Sequence, residues 1–219
     1  MTVQRQSFLL SKIPSSAAAE AFLFHLAVSA SDPHIWPRTD DEIQQYAESG
    51  YLFGIRQMDT GKFVGLVYAI LDVGAATWEV GGLAVAESSQ GLGIGTLLMR
   101  FALAHTIVYE QPWQNGQELI THVHEANMDP RRILKRLGFE FSKQIQVPEG
   151  LAPKSMQRNE AGNVVGDEFQ FTHIGIQRLS EWFNEQFDGT LGSATLAFDL
   201  GPLSIENLKE ALREMALDK

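Results

Sequence analysis

The segment Gln90-Gly91-Leu92-Gly93-Ile94-Gly95 puts glycine at every second position just ahead of a run with helical apolar spacing. A strand that turns through glycines into a helix makes an anion site, because the first amides of the helix are unpaired and its dipole favours negative charge there. Glycines at 91, 93 and 95 would let several amides point inward with no side chain in the way. A tight strand-to-helix turn also uses glycine, so the loop by itself leaves both readings open. Two phosphate sites fail on the residues. A P-loop needs Lys and then Ser or Thr after its last glycine, whereas Gly95 is followed by Thr96-Leu97. A dinucleotide fingerprint needs glycine at the sixth position from Gly91, where Thr96 stands, and belongs to a first strand–helix unit. His122 and His124 form a second constellation, two apart in a strand pattern and so on one face. They suit proton transfer or simple local hydrogen bonding; a metal would need further ligands, and no metal is expected.

The elements that must position these residues follow from the patterning. Ser7–Ile13 reads as a strand, Ala17–Ser29 as a helix, and Ser31–Arg38, with two prolines, as a break. Thr39 with Glu42 makes a capping box for a second helix that stops at Gly50. Tyr51–Met58 and Lys62–Leu71 are strands joined by the hairpin turn Asp59-Thr60-Gly61, and Thr77–Val85 is a third member of the run. Ile94, Leu97, Leu98, Phe101, His105 and Val108 recur at helical spacing. A strand over Glu118–His124 follows, then a helix opened by Asp129-Pro130 and closed at Gly138, then a strand over Phe139–Gln146. Pro148–Gly166 is a long polar loop, of the kind that usually serves function or stays mobile. Glu168–His173 is a strand and Ile176–Phe187 a helix. The tail holds an apolar stretch, Ala194–Leu200, and a helix lining Ile205, Leu208, Leu212 and Met215 on one face. This order predicts an α/β fold with a mixed sheet rather than a doubly wound one.

Composition narrows the classes. A chain of 219 residues with 44% hydrophobic and 20% charged residues suits one well-buried core with an appendage. There is no cysteine, which excludes disulfides, thiolate metal sites and a cysteine nucleophile, and fits a reducing compartment. The formal charge of −10 opposes binding to a phosphate backbone, so no nucleic acid partner is expected. It suits a cationic partner such as an amine, and equally a merely soluble surface. The longest nearly apolar run, Phe63–Ala76, is too short to span a bilayer and contains Asp72, so no membrane partner is expected. Ala21–Ala30 imitates a signal sequence, but Glu20 precedes it and His25 lies inside it. It reads as the amphipathic first helix of a cytoplasmic domain.

Gln90–Gly95 matches the Q/R-x-x-G-x-G/A motif of the GNAT (Gcn5-related N-acetyltransferase) superfamily. The preceding Glu79–Val85 looks like that family's fourth strand, and Asn127 stands before Gly138-Phe139 at an interval similar to its N-(x)10-G-F region. The resemblance covers roughly residues 7–187 and implies a mixed, mainly antiparallel central sheet flanked by helices. Residues 1–187 would then form an acyl-CoA-binding domain, with 188–219 a strand/helix extension packed on it or on a partner. That extension suits a self-contained cap as well as a homodimer contact.

The resemblance also implies an activity: acetyl transfer from acetyl-CoA to a primary amine by direct attack in a ternary complex. An alkyl ammonium, with a pKa of about 10.4, must lose a proton before it attacks. By the resemblance, Glu79 would be the base acting through water, and the amide of Leu83 would polarise the thioester carbonyl. Leu83, Ala84 and Val85 would run beside the pantetheine arm, and Gly81-Gly82 marks a backbone that is closely approached. Gln90, Gly91, Leu92, Gly93, Ile94, Gly95 and Thr96 would cradle the pyrophosphate, and Asn127 would bond the arm. His34, Trp36, His122 and His124 are the acceptor-side candidates, together with the Pro148–Gly166 loop. One position departs from the family: Leu134 stands where relatives often carry a tyrosine that protonates the leaving thiolate. That departure keeps open a non-catalytic acyl-CoA-binding or sensing module with the same fold.

Overall fold

The computed structural model describes residues 6–147, 152–201 and 204–217. In chain order it contains β1 (Ser7–Lys12), α1 (Ala18–Ser31), α2 (Asp40–Glu48), β2 (Leu52–Gln57), β3 (Phe63–Asp72), β4 (Thr77–Val85) and α3 (Ile94–Glu110). These are followed by β5 (Glu118–His124), α4 (Met128–Leu137), β6 (Phe139–Gln146), β7 (Val165–Phe171), α5 (His173–Glu181), β8 (Thr190–Leu191), β9 (Ala194–Asp199) and α6 (Ile205–Leu217). The strands form one sheet in the order β6-β7-β5-β4-β3-β2-β1-β9-β8. Only β4–β5 and β1–β9 pair in parallel; the other neighbours are antiparallel. The fold is therefore the mixed, mainly antiparallel α/β sheet with flanking helices that the sequence predicts.

Alternation along the strands sends side chains to two cores. On β2 and β3, Phe53, Ile55, Val64, Val67 and Ala69 join the larger core with α3, α5 and α6. Their alternates Leu52, Phe63, Leu66 and Tyr68 join a smaller core with Ala18, Ala21, Ile43 and Tyr46 of α1 and α2. α2 begins at the expected capping box, with the Glu42 amide donating to Thr39 Oγ1 and the Thr39 amide donating to the Glu42 carboxylate. Gly61, at φ +67°, closes the hairpin between β2 and β3.

Four expectations change. α1 is not amphipathic in the expected sense: its buried residues are Ala18, Ala21, His25 and Ser29, whereas Leu23 and Leu26 face outward. Small residues let α1 lie close on the sheet, where leucines would hold it off. The cap of α4 is Asn127, not Asp129, and Pro130 sits within the first turn, where its missing N–H costs no helix bond. β7 starts at Val165, inside the expected polar loop, and His173 opens α5 instead of closing the strand. Polar Asp167 and Glu168 are buried in β7 because Arg131, Ser142, Lys143 and His122 bind their carboxylates. The loop itself lies partly in residues 148–151, outside the described residues.

Thr190–Leu191 and Ala194–Asp199 extend the same sheet. β9 pairs with β1 and β8 with β9, and α6 sinks Leu208 and Leu212 into the larger core beside α3.

Candidate active site

β4 is the strand on which the site is built. It pairs with β5 only over Thr77↔Glu118, Trp78↔Leu119 and Glu79↔Ile120, and the two strands then separate. From Val80 onward the edge of β4 facing β5 is open. On its other side the register with β3 jumps from Leu66↔Ala84 to Tyr68↔Gly81, so Gly82 and Leu83 form a bulge. Gly82 has φ +61°, and a Cβ there would come within 2.1 Å of the Tyr68 ring. The paired glycines thus reflect a turn of the backbone over an aromatic ring, which no side chain at position 82 would permit.

Beyond β4 the chain turns into α3 through the glycine segment. Gly91 and Gly93 have φ +77° and +85°, and Gly93 caps α3 with no side-chain hydrogen bond and no acid in its first turn. Gln90, Gly91, Leu92 and Gly93 are exposed, and a Cβ on Gly91 would meet nothing within 4 Å. A long helix with an uncapped, open N-terminus suits a phosphate group. Gly95 faces Leu83 and Ile133, so the slot that leaves the cradle runs between β4, α3 and α4.

That slot opens into a cavity of about 340 Å³ between the separated strands. Its lining includes Glu79, Leu83, Asn127, His34, Trp36, His122 and His124, so seven of the sequence-chosen residues meet there. Gln90 to Gly95 and Thr96 lie outside it, at the cradle. Asn127 donates its amide to the His124 carbonyl at 2.9 Å, which closes the turn between β5 and α4. Leu134 lines the cavity, buried at 2% exposure, so the α4 side of the slot is aliphatic.

The two histidines share a face but differ in surroundings. His124 Nδ1 accepts from the Ala126 amide at 3.1 Å and Nε2 donates to the Gln157 carbonyl at 2.8 Å, so the backbone occupies both nitrogens. His122 lies between two carboxylates, with Nδ1 3.2 Å from Glu79 and Nε2 3.4 Å from Glu168. Burial disfavours its charge, but the hydrogen bonds and charges of Glu79 and Glu168 outweigh that, and its pKa lies above the ordinary imidazole value. Burial likewise works against ionised Glu168, yet Ser142, Lys143 and His122 hold its pKa below the usual carboxylate range.

Arg38, Tyr68 and Glu168 are the neighbours of Glu79 and His122 that sequence reasoning missed. Arg38 reaches Glu42 at 3.0 Å and donates to the Tyr68 hydroxyl. Burial, then the charge of Glu79, push that hydroxyl well above its ordinary pKa despite Arg38, so it stays a neutral donor. The Tyr68 hydroxyl and Glu79 Oε1 both crowd the point a Gly81 side chain would occupy. The one available signal was the glycine pair itself, since a bulge needs something beneath it. Arg38 and Glu168 gave none: Glu42 is four residues from Arg38, but Tyr68 stands 30 residues from it and His122 stands 46 residues from Glu168.

A profile of the acetyltransferase (GNAT) family matches residues 21–139, more than half of the chain. The chain belongs to the GNAT acetyltransferase family. No curated protein sequence matches it. Among solved structures, the ribosomal-protein-S18-alanine N-acetyltransferase of Escherichia coli is 16% identical with a TM-score of 0.51, covering 75% of this chain and 92% of that one. The polyamine N-acetyltransferase of Drosophila melanogaster is 12% identical with a TM-score of 0.53, covering 75% and 99%. A candidate acetyltransferase of Salmonella typhimurium, solved with its cofactor acetyl-CoA, is 16% identical with a TM-score of 0.54, covering 76% and 94%. At these identities the likeness is one of fold. Acetyl transfer from acetyl-CoA is the chemistry of this GNAT family. Among the described residues no helix is long and apolar enough to cross a membrane, and no group of three or more acidic or histidine side chains could hold a metal.

Proposed function

We propose that this GNAT-family chain is an N-acetyltransferase that moves an acetyl group from acetyl-CoA to a primary amine held beside Glu79. The observation that carries the reading is the opening of β4 away from β5, with an uncapped glycine cradle at one end and the Glu79–His122 pair at the other.

Acetyl-CoA supplies an acyl carbon activated by a thiol leaving group. The amides from Leu92 to Thr96 would hold its pyrophosphate, and the open edge from Leu83 to Val85 would hydrogen-bond its arm, with Asn127 on the facing side. Leu83 lies in the bulge, outside the β3–β4 register, which supports a free amide directed at the acyl oxygen, where negative charge builds. Glu79 takes the proton from the acceptor ammonium, directly or through one water, so that the neutral amine attacks the acyl carbon. The C–S bond breaks, and coenzyme A leaves as a thiolate that takes up, through solvent, the proton shed by the new amide nitrogen. His122 keeps the Glu79 carboxylate oriented through its Nδ1, 3.2 Å away, and the two carboxylates beside it raise its pKa above the ordinary imidazole value.

Replacing Glu79 by Gln preserves shape and removes the base, so turnover should fall by about 10²–10⁴-fold while acetyl-CoA binding remains. Turnover equal to that of the unaltered chain removes Glu79 from the chemistry. A second reading, an acyl-CoA-binding module without turnover, is favoured by one observation: buried Leu134 leaves the α4 side of the slot with no acid for the thiolate. It predicts stabilisation by acetyl-CoA with no thiol release for any amine.

A further inference from the structure

The cavity beside Glu79 has two ends of different character. Near Gly95 it is the slot between Leu83 and Ile133 already described. At the opposite end its walls come from the α1–α2 connection and from residues 152–165. There Trp36 and Val147 pack on a buried cluster of Ala152, Met156 and Val164, with Met156 at 7% and Val164 at 2% exposure. Ile35 and Ile145 complete this wall.

Hydrogen bonds tie the wall to the α1–α2 connection and to β5. Gln157 donates its amide to the Pro33 carbonyl at 3.1 Å and accepts from His124 Nε2 through its own carbonyl at 2.8 Å. Its side-chain oxygen sits 2.6 Å from His34 Nε2. Apart from Arg38 Nε, the polar side-chain groups named at this end are therefore already engaged. Asp32 holds His34 at 3.1 Å, Glu42 and the Tyr68 hydroxyl hold Arg38, and the backbone occupies both His124 nitrogens. Among the described lining residues, Glu79 is the one carboxylate.

We infer that the acceptor is a primary amine on a compact apolar body, aryl or branched aliphatic, bearing a single positive charge. The inference rests on the acetyltransferase reading and names its substrate class. The ammonium meets Glu79, and the body covers the Trp36–Met156–Val164 wall, where each apolar surface leaves water. A second ammonium in this cavity would be buried without a partner, which is strongly unfavourable. Polar groups of a peptide backbone would meet the same difficulty. The competing arrangement is a polycation entering from the other side of Glu79, where a groove of about 790 Å³ carries Asp72, Glu118 and Glu168.

The full chain tests this with acetyl-CoA and phenethylamine, ethylamine, spermidine and agmatine, read as thiol release. In parallel, calorimetry measures phenethylamine and spermidine binding to the chain saturated with coenzyme A. Phenethylamine should exceed ethylamine and both polycations in kcat/KM by at least about tenfold, in line with the worth of one well-filled apolar pocket. It should also bind more tightly than spermidine. Trp36→Ala and, separately, Met156→Ser should each shrink the preference for phenethylamine over ethylamine several-fold while acetyl-CoA still binds. Spermidine or agmatine matching phenethylamine in turnover overturns the apolar class and leaves the transferase intact. No thiol release from any amine, with phenethylamine binding retained, overturns the transferase and leaves the apolar class intact. Failure of phenethylamine to bind the loaded chain overturns the inference outright.

Discussion

Gly82→Ala should be among the most damaging single-methyl additions to this protein, and its cost can be worked from two terms. Gly82 has φ +61°, a conformation that costs an L-residue about 1–2 kcal/mol. The new Cβ would lie 2.1 Å from Tyr68 Cε1 and 2.6 Å from Cδ1. Tyr68 cannot retreat: it is 1% exposed, its ring stacks on Tyr46 at 4.2 Å, and Arg38 holds its hydroxyl. Relieving the overlap by backbone shift costs about 1–3 kcal/mol. The sum, roughly 2–5 kcal/mol, corresponds to a fall in Tm of roughly 4–20 °C for a domain of this size. Gly91→Ala is the matched control. It has φ +77° but open space around its Cβ, so it carries the first term alone, a fall of roughly 2–8 °C. Scanning calorimetry of both variants beside the unaltered chain decides the matter, with acetyl-CoA added in a second scan. Gly82→Ala should also lose part of the acetyl-CoA shift, because flattening the bulge moves the Leu83 amide. Equal Tm losses for the two variants would refute the overlap with Tyr68 and with it the packed bulge.

Three further outcomes follow from the charges. His122 has a folded pKa raised above the usual value of about 6.5, so its ion pairs stabilise fully below that pH and fade as pH rises through the raised value. The Tm gap between the unaltered chain and His122→Gln should therefore narrow between pH 6 and pH 9, and a constant gap would contradict the pairing. His25 is 1% exposed with neither ring nitrogen bonded, and burial, then the charge of Arg38, lower its pKa to about 4. The unfolded chain then binds more protons below about pH 6.5, which removes up to roughly 3 kcal/mol of stability by pH 4, so His25→Phe should unfold at lower pH in an acid titration. Asp167, with its side chain 6% exposed, binds Arg131 of α4 at 2.5 Å; Asp167→Ala should cost about 1.5–3 kcal/mol in denaturant unfolding, because it removes the carboxylate partner of a half-buried guanidinium that keeps only its bond to the Glu125 carbonyl.

The fold was legible wherever one chemical signal fixed a boundary. The Thr39–Glu42 capping box, the Gly61 turn and the αL glycine at position 138 each end or begin an element by local chemistry, and each appears where the sequence puts it. The misread elements are those whose burial depends on partners far along the chain. Val165 and Gly166 look like the end of a polar loop, and Asp167 lies outside the expected strand, until Arg131 is beside it. The first helix reads only as amphipathic, and the sheet selects the face of Ala18, Ala21, His25 and Ser29 for close approach, leaving Leu23 and Leu26 outside.

The same division runs through the candidate site, and it has a physical cause. The proposed donor end depends on backbone: amides exposed by glycines, a bulge, and an edge left unpaired. Backbone of that kind leaves a compositional trace in a short stretch, because few residues other than glycine tolerate φ above zero. The proposed acceptor end depends on side chains that five separate segments bring together: Trp36, Tyr68, Glu79, His122 and Met156 lie on the α1–α2 connection, β3, β4, β5 and the segment after β6. No short stretch carries that juxtaposition, since each residue alone is equally at home in a core or on a surface. His122 illustrates the point. Its spacing from His124 indicated only a shared face, and the two then part company. One has both nitrogens bound by the backbone, and the other sits between Glu79 and Glu168. What distinguishes them is Glu168, a residue 46 positions away from His122 that becomes its neighbour because β7 pairs with β5.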